Sequence, residues 1–454
     1  MTKRTLFADF DVVATMDAAG REIPGGFVLV EGNRIVDIGY DATGIQADAV
    51  VSGKGKLLLP GFVNTHHHLY QSLFRNVPGA SDSKLFDWLV FLYEKWKGID
   101  EHAMRVSSAV ACSELLLSGA TTTTDHCYLY PKNGGNILAA DIEGAQQAGI
   151  RFHPTRGSMS LSKKDGGLPP DSVVQTEDEI LADCQRMIET YHDPEPLSML
   201  RIALAPCSPF SVTLDLMRES VKLAQEYGVL LHTHLAETHD EEAFCKRQLG
   251  LRPVDLMEEL GWLREDVWFA HLVVLSDGDI DKLAAANVGM AHCPSSNMTL
   301  GSGIARVSEM KETAIKIGIA VDGSASNDTS NMIREIRNAM LLQRVRYGAD
   351  AMTSREALRM ATMGGANVLG RQAEVGSIEV GKAADLIAFD LDDIAFAGSH
   401  ADPVAAIVHC AADRVDFSMV NGTWRVRDGR LVDEAIYELI PEHNRLSRQL
   451  TGTA

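Results

Sequence analysis

The chain has 454 residues, 45% apolar and 23% charged, with a formal net charge of −20. That composition suits a folded globular protein: one large α/β domain with a smaller one, or two or three ordinary domains. The acidic balance argues against a nucleic-acid backbone or an anionic membrane as partner, and no apolar run reaches the ~18 residues of a membrane span.

Residues 1–60 read as short strands. "GGFVLVEGNRIVDIGY" has the alternation of a hairpin, with Gly32-Asn33 as its turn. The N-terminal "MTKRTLFADFDVVATMD" interrupts its apolar residues with acids and has no signal-peptide core. The seven cysteines (Cys112, Cys127, Cys184, Cys207, Cys245, Cys293 and Cys410) are scattered and never form C-x-x-C. Both features predict a reducing, cytoplasmic setting.

Residues 61–375 alternate. Eight apolar strands, "GFVNTHHH", "ATTTTDH", "IRFHPTRG", "RIALAPC", "VLLHTHLAE", "DVWFAHLVV", "VGMAHCP" and "IGIAVDG", are each followed by a helical stretch. Eight β/α units predict a (β/α)₈ barrel, with an open doubly wound sheet as the rival. The strands end in polar residues: His66 and His68, His126, Arg156, Cys207, His234 with Glu237, His271, His292 and Asp322. A barrel carries its active site at that face.

Residues 376–454 return to strands, with turns at Asn421-Gly422 and Asp428-Gly429, and finish in a helical tail. A β-sandwich built from both chain ends is the expected second domain, since termini commonly lie close together. "GSIEVGKA", Gly376 to Ala383, approaches a phosphate loop, but Ala383 stands where a Mg²⁺-binding hydroxyl is needed. It is read as a turn into the second domain.

The polar strand ends divide by parity. Side chains alternate along a strand, so His66 and His68 point one way and His67 the other. His232 and His234 repeat the pattern. Glu237 follows where a turn can bring it back beside His234, whereas His232 is read as satisfied within the sheet. His271 is the sixth strand's only ionisable end-group. Asp322 ends a buried strand, where a carboxylate needs a cation or donors to stay charged; Asp328 suits the helix-capping role better. Three histidines and one aspartate suit Zn²⁺, with Fe²⁺ the alternative, and leave a position for water. No lysine ends the fourth strand, so a single metal is predicted rather than a carbamate-bridged pair.

Together "PGFVNTHHH", "HTHLAE", "AHLVVL", "HCPSSNMTLGSG", "VDGSASND" and "GSIEVGKAADLIAFD" make the chain resemble the amidohydrolase superfamily over nearly its whole length. Glutamate three residues after the fifth-strand histidine resembles the mononuclear branch that deaminates amino-heterocycles. The resemblance implies that His66, His68, His234 and Asp322 hold the metal. It implies that Asp322 takes a proton from the attacking water, Glu237 protonates a ring nitrogen, and His271 steadies the attacking oxygen. It also implies a homo-oligomer.

For the substrate, Gln71 resembles a purine-reading amide of guanine deaminases. Cys207 stands where those enzymes carry arginine, which argues against guanine as the main substrate. "RFHPTRGSMSLSKKDGG" and "LAPCSPFSV" resemble 8-oxoguanine deaminases, and also triazine hydrolases. Gln71, Arg156 and Cys207 are therefore the expected substrate contacts. An adenosine or S-adenosylhomocysteine type of deaminase is a third option. Trp88 and Tyr93 are read first as core and second as an apolar lid, and His292 as a shaper of the pocket. The non-enzyme alternative is a metal-stabilised binding protein; Glu237 with His271 argues against it, because a structural site closes its coordination and needs no acid beside it.

Overall fold

Five strands open the chain in the computed structural model, which describes residues 2–453. They are β1 (Arg4–Ala14), β2 (Glu22–Glu31), β3 (Arg34–Gly39), β4 (Ala49–Ser52) and β5 (Lys56–Pro60). The β2–β3 turn falls at Gly32-Asn33, with Gly32 at φ +62°, the left-handed conformation that a two-residue hairpin needs.

The next strands are the staves of a barrel. They are β6 (Phe62–Asn64); β7 (Ala120–Thr123) continued by β8 (His126–Cys127); β9 (Arg151–Phe152) continued by β10 (Thr155–Ser158); β11 (Ala203–Pro206); β12 (Leu231–Leu235); β13 (Val267–His271); β14 (Gly289–His292); and β15 (Lys316–Ile319). All neighbours pair in parallel. The second and third staves are each broken, and single bonds bridge the breaks, such as Thr155 N–H to the Asp125 carbonyl at 2.8 Å. Closure comes from Thr65 N–H on the Ile319 carbonyl at 3.2 Å and Asp322 N–H on the His66 carbonyl at 3.2 Å. The Asn64 side-chain oxygen adds Val321 N–H at 2.9 Å. The seam that closes the barrel thus joins the two strand ends that carry His66 and Asp322.

Helices between staves start and stop on local signals. Thr213 caps the helix Leu214–Tyr227 and Gly228, at φ +64°, ends it; Thr176 and Ser276 make capping boxes for two others. No helix among the described residues is long and apolar enough to cross a membrane.

Strands β16 (Leu386–Asp390), β17 (Phe417–Val420), β18 (Thr423–Arg427) and β19 (Arg430–Leu431) complete one nine-stranded sheet, in the order β19-β18-β17-β16-β5-β1-β2-β3 with β4 beside β1. Both chain ends build it. Phe7 on β1 and Phe417 on β17 are three ladder steps apart, about 14 Å in a flat sheet. Their rings nevertheless lie 5.8 Å apart, and Trp424 meets Phe7 at 5.6 Å. The sheet curls over itself, and its two ends face each other as a sandwich around this aromatic core.

Arg151 ties the two units together. It is fully buried on β9 and forks onto Asp385, at 3.1 and 3.0 Å, just before β16. It also donates to the carbonyls of Leu197 and Ser198. Arg151→Met is expected to cost at least about 3 kcal/mol, because Asp385 is left as a buried, unpaired charge. Denaturant midpoints of the two proteins check this; equal midpoints would mean that the pair does no net stabilising.

The tail, grouped with residues 376–454 by sequence, lies against the barrel. In the helix Ile440–Thr451, His443 Nε2 meets Ser72 Oγ at 3.0 Å and Ser447 Oγ donates to the Leu73 carbonyl at 2.7 Å. It backs the 3₁₀ turn Leu69–Phe74 that follows His68.

Candidate active site

The polar strand ends converge at the barrel mouth. Two of them, His271 at φ +77° and Asp322 at φ +60°, and Ala236 at φ +53° just before Glu237, sit in backbone that non-glycine residues rarely adopt. Each such residue costs on the order of 1–3 kcal/mol, and strain of this kind gathers at functional sites. Here it turns the chain at the ends of β12, β13 and β15, so that Glu237, His271 and Asp322 face one another.

A neutral imidazole carries one proton, and its hydrogen bonds reveal where that proton sits. His68 Nδ1 lies 2.9 Å from the His126 carbonyl, and His234 Nδ1 lies 2.7 Å from the Cys207 carbonyl. Carbonyls only accept, so both rings are protonated at Nδ1 and present Nε2 as a lone pair. Those two Nε2 atoms face each other at 3.1 Å with no proton to share. The His66 Nε2 atom is buried and has no hydrogen-bond partner among the described residues. Asp322 Oδ1 lies 3.2 Å from His66 Nε2 and 3.4 Å from His68 Nε2. Lone pairs and a carboxylate crowded together are unfavourable unless a cation sits among them, and this donor set fits one divalent ion.

The electrostatics agree. Burial, reinforced by the neighbouring imidazoles, lowers His66 well below its ordinary value and takes His234 to about 3, so the rings stay neutral as ligands must. Burial opposes the charge on Asp322, but its pKa is lowered well below the carboxylate range by His66, His271 and His68, which favour the carboxylate to the extent that they carry a proton towards it. Cys293 also lies close to His271 and Asp322. Its thiol donates to the Ala291 carbonyl, and burial pushes it up, so it stays protonated and is a poor ligand.

Glu237 stands beside this set. Burial raises its carboxyl to about 7, with the nearby His271 pulling the other way. His271 Nε2 lies 3.6 Å from Glu237 Oε2, and His271 Nδ1 is oriented by Asn297 Oδ1 at 2.9 Å. Burial lowers His271, but the carboxylates of Glu237 and Asp322 and the Asn297 bond outweigh it and raise it above its ordinary value. Glu241 accepts the Ala236 and Glu237 backbone N–H groups at 2.9 and 2.8 Å and so fixes the turn that carries Glu237. The arrangement offers a proton exchanger near neutrality, a histidine donor and a carboxylate base around one point.

A small cavity opens onto these groups. Gln71 and Cys207 line it, as do Trp88 and Tyr93 from the helix Leu85–Trp96, which are both buried and part of the wall. Gln71 accepts from Ala325 N–H at 3.3 Å, and a side chain at Gly323 would overlap it. The amide N–H₂ and the second lone pair of its oxygen are left to read a ligand. Burial pushes the Cys207 thiol to about 12, so it is a short neutral side chain here.

Arg156 corrects the sequence expectation. Its guanidinium donates to Asp183 at 2.7 Å and Gln175 at 2.9 Å and lies on the Tyr130 ring at 3.7 Å, in the layer between β10 and the helix Glu177–Tyr191. The stave breaks at Pro154, between β9 and β10, so inward and outward parity cannot be carried across it, and Arg156 faces out. His67 bonds Ser330 Oγ at 3.0 Å, and His126 stacks on His234 at 4.6 Å. His292 is buried, does not line the cavity, and neither of its ring nitrogens has a hydrogen-bond partner among the described residues. Lys382 of the phosphate-loop-like turn is spent on the Gln372 carbonyl and Ser377 Oγ, both at 2.6 Å. Asn297, Glu241 and Tyr128, which also lines the cavity, were not singled out by sequence; "HCPSSN" after β14 and the carboxylate four residues past Glu237 are the signals that point to the first two.

A (β/α)₈ barrel with three imidazoles, a carboxylate and an acid at its mouth defines a metal-dependent hydrolase. Known proteins place it further. The chain matches the Amidohydrolase family over residues 57–425. It is 46% identical to an 8-oxoguanine deaminase of Pseudomonas aeruginosa over 434 residues, 95% of this chain and 96% of that one. It is 35% identical to a hydroxydechloroatrazine ethylaminohydrolase of Pseudomonas sp. strain ADP, over 93% and 91% of the two chains. It superposes on a zinc-complexed atrazine chlorohydrolase from Arthrobacter aurescens TC1 with a TM-score of 0.94 at 32% identity, covering 98% and 100% of the two. The chain belongs to the amidohydrolase family, and it is a hydrolase of carbon–nitrogen bonds of the metal-dependent deaminase type.

Proposed function

We propose that this protein deaminates 8-oxoguanine, taking up water and releasing urate and ammonia. The observation that carries the reading is the cavity's chemistry. Glu237 and Asp322 are both present, as a deaminase needs, and Cys207 replaces the bulk and charge of an arginine. A short thiol leaves room for the extra oxygen on C8 of the purine and offers it a weak donor. The 46% identity to an 8-oxoguanine deaminase supports the same choice.

His66, His68, His234 and Asp322 would hold Zn²⁺, with Fe²⁺ as the alternative. When bound, the ion supplies acidity to a water molecule, bringing its pKa from 15.7 towards about 7. The protein's own groups do the rest. Gln71 grips the purine edge through its amide N–H₂. Ionised Asp322 accepts the proton that the water gives up. Glu237 delivers a proton to the ring nitrogen next to the amino-bearing carbon as the oxygen adds there. His271 donates to that oxygen and stabilises the tetrahedral species. Protons then pass to the amino group, ammonia leaves, and a carbonyl remains in its place.

A hydroxytriazine aminohydrolase is the second reading, favoured by the likeness to the hydroxydechloroatrazine enzyme. Release of ammonia, or of an alkylamine from an alkylamino-hydroxytriazine, by metal-loaded protein across 8-oxoguanine, guanine, isoxanthopterin, that triazine and S-adenosylhomocysteine separates them. The expected result is the highest kcat/KM on 8-oxoguanine, at least tenfold above guanine, a difference of about 1.4 kcal/mol in transition-state binding. A higher value on the triazine would exchange the two readings, and turnover of none of the five would overturn both.

A further inference from the structure

Each histidine proposed as a ligand must keep its proton on Nδ1, and something must hold it there. For His68 and His234 the holder is a backbone carbonyl, of His126 and Cys207 respectively. For His66 it is a side chain: His66 Nδ1 meets Nε2 of His232 at 2.7 Å. His232 Nδ1 lies 2.8 Å from the Trp268 carbonyl, which can only accept. The single proton of a neutral His232 ring therefore sits on Nδ1, and its Nε2 is a lone pair. His66 is then the donor in the shared bond, and its own Nε2 is the lone pair aimed towards Asp322.

The ring of His232 is also locked in place. It stacks on the Trp268 indole with centroids 4.2 Å apart and planes 8° apart. The indole Nε1–H donates to the Thr65 carbonyl at 3.0 Å, one residue before His66. A closed circuit thus runs from the Thr65 backbone through Trp268 and His232 to the His66 ring. All of its members are fully buried.

We infer that His232 is a positioning residue that sets the tautomer and ring orientation of His66 and thereby tunes metal affinity. This goes beyond the satisfied core histidine that the sequence suggests, and it rests on His66 being a ligand as proposed above. Two substitutions divide the possible roles. His232→Phe keeps an aromatic ring on Trp268 but removes the acceptor. His232→Gln removes the ring but keeps an oxygen near the position of Nε2.

Zinc dissociation constants, measured by competition with a chromophoric chelator, read the result. His232→Phe is expected to weaken zinc about 10–100-fold, while His232→Gln stays within about threefold of the parent. Parent-like affinity in His232→Phe overturns the role, and so does equal loss in both variants, which would mark packing on Trp268 as what matters. Absence of zinc binding by the parent would instead sink the metal-site reading itself. Should His232→Phe not fold, long-range ¹H–¹⁵N spectra of the metal-free parent decide: His66 protonated at Nδ1 supports the assignment, and protonation at Nε2 overturns it.

Discussion

Glu237→Gln is expected to lower the deamination rate by about 10²–10⁴, the usual worth of a positioned proton-transfer group. Glutamine keeps the size of the side chain but cannot cycle a proton. The glutamate suits the task because burial raises it to about 7, where gain and loss of a proton are nearly balanced in neutral solution. Its turn is fixed through Glu241, so the substitution should leave the local backbone intact. The measurement is steady-state ammonia release together with bound metal per chain. The expected pairing is a large fall in kcat with metal content unchanged. A variant of parental activity would remove Glu237 from the chemistry, and a variant that loses its metal would make it a ligand or a support for one.

The outline of this site was legible in the sequence because buried strands have period two and end at a barrel mouth. That parity separates His66 and His68 from His67, and it is independent of distant residues. The strand-end rule failed at Arg156, whose guanidinium lies on Asp183, Gln175 and the Tyr130 ring behind the stave. It was silent on the left-handed backbone of Ala236, His271 and Asp322, because nothing in their side chains announces it as a glycine would. It was also silent on proton positions. Whether His68 or His234 offers Nε2 depends on carbonyls at His126 and Cys207, which arrive from other staves. The second domain shows a similar division. Its turns at Gly32, Asn421 and Asp428 follow from local residue types, while the curl that brings Phe7 to Phe417 depends on the whole sheet.

Stripping the metal with a chelator such as dipicolinate is expected to abolish turnover, and adding Zn²⁺ back should restore it. The geometry adds a second consequence, in stability. Without an ion, the His68 and His234 lone pairs stand 3.1 Å apart, and a buried carboxylate faces His66 at 3.2 Å. An ion that binds this native arrangement and not the unfolded chain stabilises the fold by about 4 kcal/mol at a free concentration of 1,000 Kd. For a chain of this length, with an unfolding entropy of about 2 cal/mol/K per residue, that is a rise in Tm of roughly 4 °C. Thermal scans of stripped and reconstituted protein should show this shift growing with the logarithm of free zinc. Repeating the titration with Fe²⁺ under anaerobic conditions tests which ion the donors prefer, since imidazole and carboxylate accept both. Turnover that persists at full rate in metal-free protein, or a Tm indifferent to zinc, would mean that the four converging side chains serve packing, and the hydrolytic reading would have to be given up.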